Sequence, residues 1–169
     1  PGPEVLPKNR QEFGDGVLDR SAHVWRDGAR VAALDLNVDS AQKLIAGLPN
    51  ADQHLALATN VAQSASVIAS IRQAREHFGR LDFAVNNAGI GQAKGDGSDK
   101  FYSSMDERNA ELARGEKPKT FVDHLIHMED EGWQSVMDVN LNGAFYVCRE
   151  MVRILAEDNN PGSIVNISS

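Results

Sequence analysis

Three short polar stretches are the parts of this chain whose residue types and spacing could do chemistry. Residues 86–89, Asn-Asn-Ala-Gly, follow the apolar run 81–85; residues 138–143 interrupt a helical pattern; and residues 162–169 are the last of the sequence. Small residues where a strand ends let a ligand lie against the backbone, and an asparagine amide there can brace neighbouring strands. A generic turn explains Gly89 but leaves the doubled asparagine before it unexplained.

The elements that must position these stretches follow from the hydrophobic pattern. From residue 30 onward, apolar runs suited to buried strands alternate with amphipathic helices. We predict strands at 30–36, 54–59, 81–85 and 162–167, and helices at 41–48, from 64 or 66 to 78, and over about 131–155. Asp39 or Ser40 is expected to cap the first helix, and Gly79 to end the second.

This alternation predicts an α/β fold: a doubly wound parallel sheet, Rossmann-like, with three αβα layers. In such a fold, ligands bind where the carboxyl ends of the strands meet the following loops. The three polar stretches lie at such ends or on the helix beside them. We expect a single domain over residues 1–169, interrupted by an insertion at 92–132.

The helix over about 131–155 is the clearest in the sequence. Its apolar residues recur at three- and four-residue steps: Trp133, Val136, Met137, Leu141, Ala144, Phe145, Cys148, Met151, Val152 and Leu155. Asn140 and Gly143 interrupt this run, and a glycine there costs about 1 kcal/mol relative to alanine. The interruption indicates a packing or functional reason. Cys148 falls on the stripe, so we interpret it as a small buried hydrophobic residue rather than a reactive thiol.

In this order, the three stretches resemble the short-chain dehydrogenase/reductase family, over roughly residues 16–169. The resemblance implies hydride transfer between a nicotinamide cofactor and an alcohol or ketone. It implies two catalytic positions: Asn140, which in the family marks a helix distortion near the active site, and Ser169, which hydrogen-bonds the substrate oxygen. The family's Tyr-x-x-x-Lys acid/base pattern is absent, because Tyr102 and Tyr146 are each followed four residues later by an acid. We therefore expect a truncated chain without the first strand and the C-terminal part.

The resemblance also implies the cofactor and the residues that bind it. Asp35, which ends the first strand, would accept hydrogen bonds from the ribose hydroxyls of NAD and repel the extra phosphate of NADP; the alternative is an exposed strand-end acid. Asn60 and Val61 would contact the adenine, although a turn explains the same dipeptide. The expected cofactor-binding residues are Gly14, Gly16, Asp35, Leu36, Asn60, Val61, Asn87, Ala88 and Gly89.

The N-terminal sequence departs from the family pattern. Residues 1–16 hold too few large apolar side chains for a buried strand, although Gly14 and Gly16 fall where the family's phosphate-binding loop has its last two glycines. Arg10 stands in the place of the first glycine, and Asp15 would bring a carboxylate to the cofactor's diphosphate. A simple turn ahead of a helix at 17–27 is the interpretation that these departures favour.

The insertion at 92–132 is polar and charged, with a helix predicted over 104–114. Two histidines and two acids near its end raise the question of a metal site: His124, His127, Glu129 and Asp130. Their spacing fixes no further ligand, so we predict a solvated surface and no metal.

Composition excludes several classes of protein. The net charge is −7 without a basic run, so neither nucleic acid nor an anionic membrane is an expected partner. No apolar stretch reaches about 18 residues and no signal-peptide pattern is visible, so we expect a cytoplasmic protein. A single cysteine excludes an internal disulfide. Asn166 begins a glycosylation sequon, which we set aside because it falls in a strand-like run.

We therefore expect an NAD-dependent enzyme that interconverts a small-molecule secondary alcohol and a ketone. The resemblance also implies a homodimer or homotetramer through the long helix, where Val139, Val147 and Ile154 lie off the main stripe as a second apolar face. One alternative is a non-catalytic dinucleotide-binding sensor or scaffold of the same fold, favoured by the missing glycine, tyrosine and lysine. Another is an interaction protein built on the insertion.

Overall fold

The computed structural model of the protein describes residues 28–167. The chain groups into two compact units, one ending at Ala58 and the other running from Thr59 onward. Several predicted features lie outside the described residues: the atypical stretch 1–16 with Gly14 and Gly16, the helix at 17–27, and Ser169.

The first unit is a strand–helix–strand arrangement. Its elements are β1 (Ala32–Asp35), α1 (Val38–Ala46), a 3₁₀ turn (Ala51–Gln53) and β2 (Leu55–Ala58). The two strands pair in parallel, so the chain must cross over between them, and α1 is that crossover. Ala41 and Ile45 are the buried residues of α1 and form its apolar face.

The cap of α1 differs from the prediction. The side chain of Asn37 accepts hydrogen bonds from the backbone N–H groups of Asp39 and Ser40, at 3.1 and 3.3 Å. An asparagine at this position satisfies N–H groups that the first helical turn leaves unpaired. Asp39 and Ser40 therefore lie within the first turn, and the prediction that one of them caps the helix was wrong.

The second unit carries the remaining helices and the second pair of strands. Its elements are α2 (Ser64–Phe78), β3 (Phe83–Asn86), α3 (Ser98–Ala113), a 3₁₀ turn (Leu125–His127), α4 (Asp130–Met137), a π-helical turn (Asp138–Asn142), α5 (Gly143–Glu157) and β4 (Ser163–Asn166). β3 and β4 pair in parallel, with Asn86 opposite Asn166. Gly79 ends α2 in the left-handed conformation, as predicted. The described strands thus form two parallel pairs, each joined through helices.

Helices α2 and α5 pack against each other in the core of the second unit. Their buried apolar residues are Val67, Ile71, Ala74, Phe78, Met151 and Ile154. Glu150 of α5 is only 1% exposed and forms an ion pair with Arg72 of α2, with 2.6 Å between Oε1 and Nε. A buried carboxylate without such a partner would be strongly destabilising, so the pair is part of how these helices fit together.

The π-helical turn changes which face of the long helix is buried. It holds about one residue more than an α-helical turn, so the face beyond it is rotated by about 100°. With that residue taken into account, Phe145 and Val152 fall about three and about five full turns after Trp133, on the same side of the helix. Trp133, Leu141, Phe145 and Val152 are accordingly 53%, 56%, 53% and 56% exposed, and together form the exposed apolar face of the long helix.

The predicted apolar stripe was therefore wrong in part, because it assumed one uniform α-helix. Met151 is buried as predicted, but Ile154, which was predicted to lie off the stripe, is 2% exposed and belongs to the core. Val139 and Val147 are half-buried. On this helix, the large apolar side chains that are exposed to solvent are those of the exposed apolar face instead.

The base of the insertion closes against the first turn of α4. A Cβ built on Gly132 would lie 2.1 Å from the carbonyl carbon of Gly95, so only glycine fits this contact. Asp96, buried next to it, accepts hydrogen bonds from the N–H groups of Ala93 and Ser98, both at 2.8 Å. These bonds fix the residues that lead into α3, which begins at Ser98 rather than at the predicted position 104.

A second buried carboxylate orders the far end of the insertion. Glu111 of α3 accepts hydrogen bonds from the N–H groups of Lys119 and Thr120 and from the Thr120 hydroxyl, at 2.8, 3.2 and 3.0 Å. The N–H donors of Thr120 and Lys119 hold the pKa of Glu111 below its ordinary value, since they stabilise the charged form. Polar residues of the insertion thus contribute to its folding, because the Glu111 carboxylate holds the backbone of Lys119 and Thr120.

His124 contributes to the packing of the insertion. The Nε2 atom of His124 lies 3.3 Å from the hydroxyl of Ser98, and its ring lies 5.6 Å from that of Phe101. Within residues 28–167, no three or more His, Cys, Asp or Glu side chains are grouped so that they could hold a metal ion. Over that same stretch, no helix combines the length and apolarity that crossing a membrane requires.

Replacing Ile154 with alanine should lower the free energy of unfolding by about 2–5 kcal/mol, because this side chain is buried in the core. Val152→Ala, on the exposed side of the same helix, should change the free energy of unfolding of the monomeric form by less than about 0.5 kcal/mol. Denaturant unfolding followed by circular dichroism measures both values. Equal losses for the two variants would contradict the rotation of the helix face.

The order of the insertion should depend on pH through Glu111. Because its pKa is lowered in the folded chain, its stabilising contribution is complete above the ordinary glutamate pKa and disappears as the pH falls through the lowered value. Protection against hydrogen exchange at residues 111–120, expressed relative to the intrinsic exchange rate at each pH, should therefore fall with acid in the wild type and depend less on pH in Glu111→Gln. Glu107→Gln, which changes an exposed acid on the same helix, is the control and should keep the wild-type profile.

Candidate functional site

Asn140 lies in the π-helical turn and binds the chain just past β3. Its Nδ2 donates to the carbonyl oxygen of Ile90 at 2.9 Å, and its Oδ1 accepts from the Ile90 N–H at 2.8 Å. One amide side chain thereby satisfies both backbone groups of a single residue. We call this pair of hydrogen bonds the Ile90 clamp. Ile90 is a residue that the sequence analysis missed, since the contact is made by its backbone and has no side-chain signal.

The π-helical turn has its own local support. The N–H of Gly143 donates to the carbonyl of Asp138, five residues earlier. Asp138 Oδ1 also accepts from the side chains of Gln134 and Asn142, at 2.7 and 2.8 Å. A Cβ on Gly143 would lie 3.1 Å from Val61 Cβ, tighter than an ordinary contact. The interruption of the helix at Gly143 therefore has the packing reason that the sequence indicated.

The segment Asn87, Ala88 and Gly89 is exposed and lies between two held residues, Asn86 and Ile90. A Cβ on Gly89 would lie 3.4 Å from Asn140 Oδ1, which is already van der Waals contact. A small, exposed segment with a fixed backbone is what a sugar needs in order to lie against the chain. The segment fits the predicted contact with the cofactor ribose, which stays a prediction.

The bracing amide at the end of β3 is that of Asn86. Its Nδ2 donates to Asn166 Oδ1 at 2.7 Å and to Cys148 Sγ at 3.3 Å. Cys148 is half-buried, and its thiol also lies 3.8 Å from Asn166 Oδ1. Cys148 was predicted to be a small buried hydrophobic residue, but it is only half-buried and its sulfur contacts two amides. Asn166, which lies in the third polar stretch but was given no contact by the sequence analysis, is the partner of Asn86.

Asn60 forms a local turn. Its N–H donates to the Ser66 hydroxyl at 3.0 Å, and its Oδ1 accepts from the N–H of Ala62 at 3.0 Å. This is the turn that the sequence analysis kept as the alternative, and it uses the amide oxygen assigned to the adenine contact. Val61 packs against Gly143. The predicted adenine contact of these two residues stays a prediction.

Asp35 ends β1 and is exposed to solvent. One carboxylate oxygen accepts from the N–H of Asn37 at 2.8 Å, which orders the turn into α1. Leu36, between them, is exposed. An exposed carboxylate with one oxygen held by the Asn37 N–H fits the predicted hydrogen bonding to ribose hydroxyls, which stays a prediction.

The remaining predicted site residues, Gly14, Gly16 and Ser169, lie outside the described residues. The strand that leads to Ser169 is described up to Ile167, whose N–H donates to the carbonyl of Asn86 at 2.9 Å. The hydrogen bonding between the two strands thus continues one residue past Asn166, the last residue of β4.

Comparison with known proteins identifies the class. The family model described as short chain dehydrogenase matches residues 18–112, and that described as enoyl-(acyl carrier protein) reductase matches residues 110–169. The chain belongs to the short-chain dehydrogenase/reductase family.

Particular relatives place the chain within this family. It is 32% identical to the D-threitol dehydrogenase of Mycolicibacterium smegmatis, covering 92% of this chain and 48% of that protein. It is 30% identical to a 3beta-hydroxysteroid dehydrogenase of Mediterraneibacter gnavus, covering 93% and 45%. The chain spans about half the length of the curated relatives it matches.

A solved structure confirms the predicted fold class. The crystal structure of NAD+-bound xylitol dehydrogenase superposes with a TM-score of 0.68 at 22% identity, covering 94% of this chain and 50% of that one. The strand–helix alternation and parallel pairing of the described residues are those of an α/β fold of the Rossmann kind.

Proposed function

We propose that the complete protein is an NAD-dependent oxidoreductase that interconverts a small-molecule secondary alcohol and a ketone by hydride transfer. The observation that carries this proposal is the Ile90 clamp, because through it the side chain of Asn140, the predicted active-site asparagine, is hydrogen-bonded to the residue that follows the exposed segment 87–89. Family membership supports the class of reaction. The related 3beta-hydroxysteroid dehydrogenase is named for a substrate whose hydroxyl is on a secondary carbon, which supports the substrate class.

The residues divide into those that hold the cofactor and those that act on the substrate. Asp35 with Leu36, Asn60 with Val61, and the segment 87–89 would hold the adenosine and ribose parts, with Gly14 and Gly16 at the diphosphate. The nicotinamide supplies or accepts the hydride when bound. Asn140 keeps the loop after β3 in place. Ser169 would donate a hydrogen bond to the substrate oxygen and so stabilise charge that develops there.

The complete protein should oxidise secondary alcohols with a nicotinamide cofactor, and Ser169→Ala should lower kcat by about 10²–10³-fold, the usual effect of losing one such donor. Ser169→Thr keeps the hydroxyl and is the matched control. Steady-state kinetics, followed through the absorbance of NADH, measures the change in kcat. A complete protein that binds the cofactor without any turnover would instead favour the non-catalytic sensor or scaffold.

Asp35 should decide between NAD and NADP. Asp35→Asn keeps an oxygen for the Asn37 N–H and removes the charge, so its effect is separate from that on the turn. We expect the ratio of kcat/KM for NAD over NADP to fall about tenfold, which corresponds to about 1.4 kcal/mol. Asp39→Asn, an exposed acid in the first turn of α1, should leave the ratio unchanged. An unchanged ratio in Asp35→Asn would show that Asp35 does not contact the ribose.

We also propose that the complete protein is a homodimer or homotetramer. The exposed apolar face of the long helix supports this, because burying such side chains releases about 1.5–3 kcal/mol each. Light scattering at micromolar concentration should find a dimer or tetramer, and Phe145→Glu should dissociate it. Leu112→Glu, an exposed leucine on α3, is the control and should leave assembly intact. A monomeric wild-type protein would overturn the proposal.

A further inference from the structure

Asp138 is the residue at which the hydrogen bonding of the long helix changes its spacing. Its N–H donates to the carbonyl of Gln134, four residues earlier, as in an α-helix. Its own carbonyl accepts from the N–H of Gly143, five residues later, which is the spacing of a π-helix. Asp138 therefore lies at the boundary between α4 and the π-helical turn.

The side chain of Asp138 crosses the same boundary. One carboxylate oxygen, Oδ1, accepts from Gln134 Nε2 at 2.7 Å and from Asn142 Nδ2 at 2.8 Å. Gln134 belongs to α4, and Asn142 is the last residue of the π-helical turn. We call these two hydrogen bonds the Asp138 staple. An ionised oxygen is a stronger acceptor than a neutral one, which suits it to hold both amides.

The Asp138 staple spans the asparagine of the Ile90 clamp. Asp138 lies two residues before Asn140, and Asn142 lies two residues after it. A π-helical turn that relaxed to α-helical spacing would rotate the residues beyond Asp138 around the helix axis, by up to about 100°. The Asn140 amide would then no longer face the N–H and C=O of Ile90, which it binds at 2.8 and 2.9 Å.

The π-helical turn needs support besides its own backbone, because turns of this kind are rare and persist where other contacts favour them. The packing of Gly143 against Val61 supplies such a contact at its end. The Asp138 staple supplies one at its start. Asp138 and Asn142 are both half-buried, so water competes less for the bond between them.

We propose that Asp138 and Asn142 are positioning residues, which keep the π-helical turn in the form that lets Asn140 bind Ile90 and thereby fix the segment 87–89 against the cofactor. This inference rests on the function proposed for that segment. The two residues act on geometry, and a misplacement of about 1 Å can cost about 10²-fold in rate.

Two substitutions of Asp138 separate its role as an acceptor from its charge. Asp138→Leu has a similar size and no acceptor, so both amides lose their partner. Asp138→Asn removes the charge and keeps an oxygen with two lone pairs, which can accept from both amides. Glu131→Leu, which replaces an exposed acid about two turns earlier on the same helix, is the control.

In the complete protein, Asp138→Leu should lower kcat by about 10–100-fold. The KM for the alcohol should stay within about twofold, since the change concerns the placement of the bound cofactor. Asp138→Asn should keep kcat within about threefold of the wild type with the same pH profile, and Glu131→Leu should match the wild type. Undiminished kcat in Asp138→Leu, or an equal loss in Asp138→Asn, would overturn the proposal.

Hydrogen exchange keeps this test separate from the proposed function. Asp138→Leu should accelerate exchange of the Ile90 amide, whose acceptor is Asn140 Oδ1, and Asp138→Asn should not. Exchange at Ile71, in the core, should stay slow in both variants if the fold is intact. If the wild-type protein shows no nicotinamide-dependent turnover, the proposed function fails, and exchange at Ile90 alone decides whether the staple holds the turn. Unchanged exchange at Ile90 in Asp138→Leu would refute the staple whatever the activity.

Asn142→Leu extends the test to the second residue and serves as well if Asp138→Leu does not fold. It removes the bond across the π-helical turn and leaves the bond to Gln134. Exchange at Ile90 should again accelerate, and the double variant should exchange no faster than Asp138→Leu, because both residues act through one bond. Wild-type exchange at Ile90 in Asn142→Leu, or additive effects in the double variant, would overturn the role of Asn142.

Discussion

Two hydrogen bonds between the side chain of Asn140 and the backbone of Ile90 connect the long helix to the loop after β3. An asparagine amide suits this contact because it offers a donor and an acceptor side by side, matching the N–H and C=O of one residue. The local geometry of the long helix accommodates this contact. Asn140 reaches Ile90 from a helix whose hydrogen bonding is locally shifted to a five-residue spacing, and such turns are frequent at functional sites.

The π-helical turn has consequences along the whole helix. It brings Gly143 against Val61 and rotates the following residues, so that Met151 and Ile154 enter the core while Phe145 and Val152 remain in solvent. The ion pair between buried Glu150 and half-exposed Arg72 then connects α5 to α2. The local distortion that holds Ile90 therefore also determines which side chains of the helix are free for contact with another chain.

Long periodic elements could be predicted from the sequence, because burial of one face leaves a regular apolar pattern. The helix predicted from residue 64 or 66 to Phe78 is α2, which begins at Ser64 and ends at Gly79, and each of the four predicted strands overlaps a described strand. Which side chains of the long helix are buried could not be predicted beyond the π-helical turn. Such a turn has no characteristic composition, and its one extra residue rotates every later residue around the helix axis. The contacts of Asn166 and Ile90 were also out of reach. They depend on the register of two strands and on a backbone group, neither of which leaves a local signal.

The insertion shows the same limit in a different form. The solvated surface predicted for His124, His127, Glu129 and Asp130 agrees with the exposure of these four residues. The polar composition of the segment nevertheless gave no sign that Asp96 and Glu111 are buried and accept backbone hydrogen bonds. The composition of a segment indicates how exposed its side chains are on average and does not reveal single buried groups. Two buried carboxylates that accept backbone hydrogen bonds are sufficient to order this segment. Of the residues predicted to bind the cofactor, Asp35 ends β1 and Asn60 follows β2, as the strand pattern indicated. Asn60 makes the turn that the sequence offered as its alternative, and Asp35 is exposed and accepts a hydrogen bond from the Asn37 N–H.

The hydrogen exchange of the Ile90 amide tests the central claim most directly. In the wild type this N–H donates to Asn140 Oδ1, so we predict slow exchange. Asn140→Leu removes the acceptor and should accelerate exchange at Ile90, whereas Asn140→Asp keeps an accepting oxygen and should preserve most of the protection, although it loses the bond to the Ile90 carbonyl. Exchange at Ile90 that is as slow in Asn140→Leu as in the wild type would contradict the clamp and the account built on it.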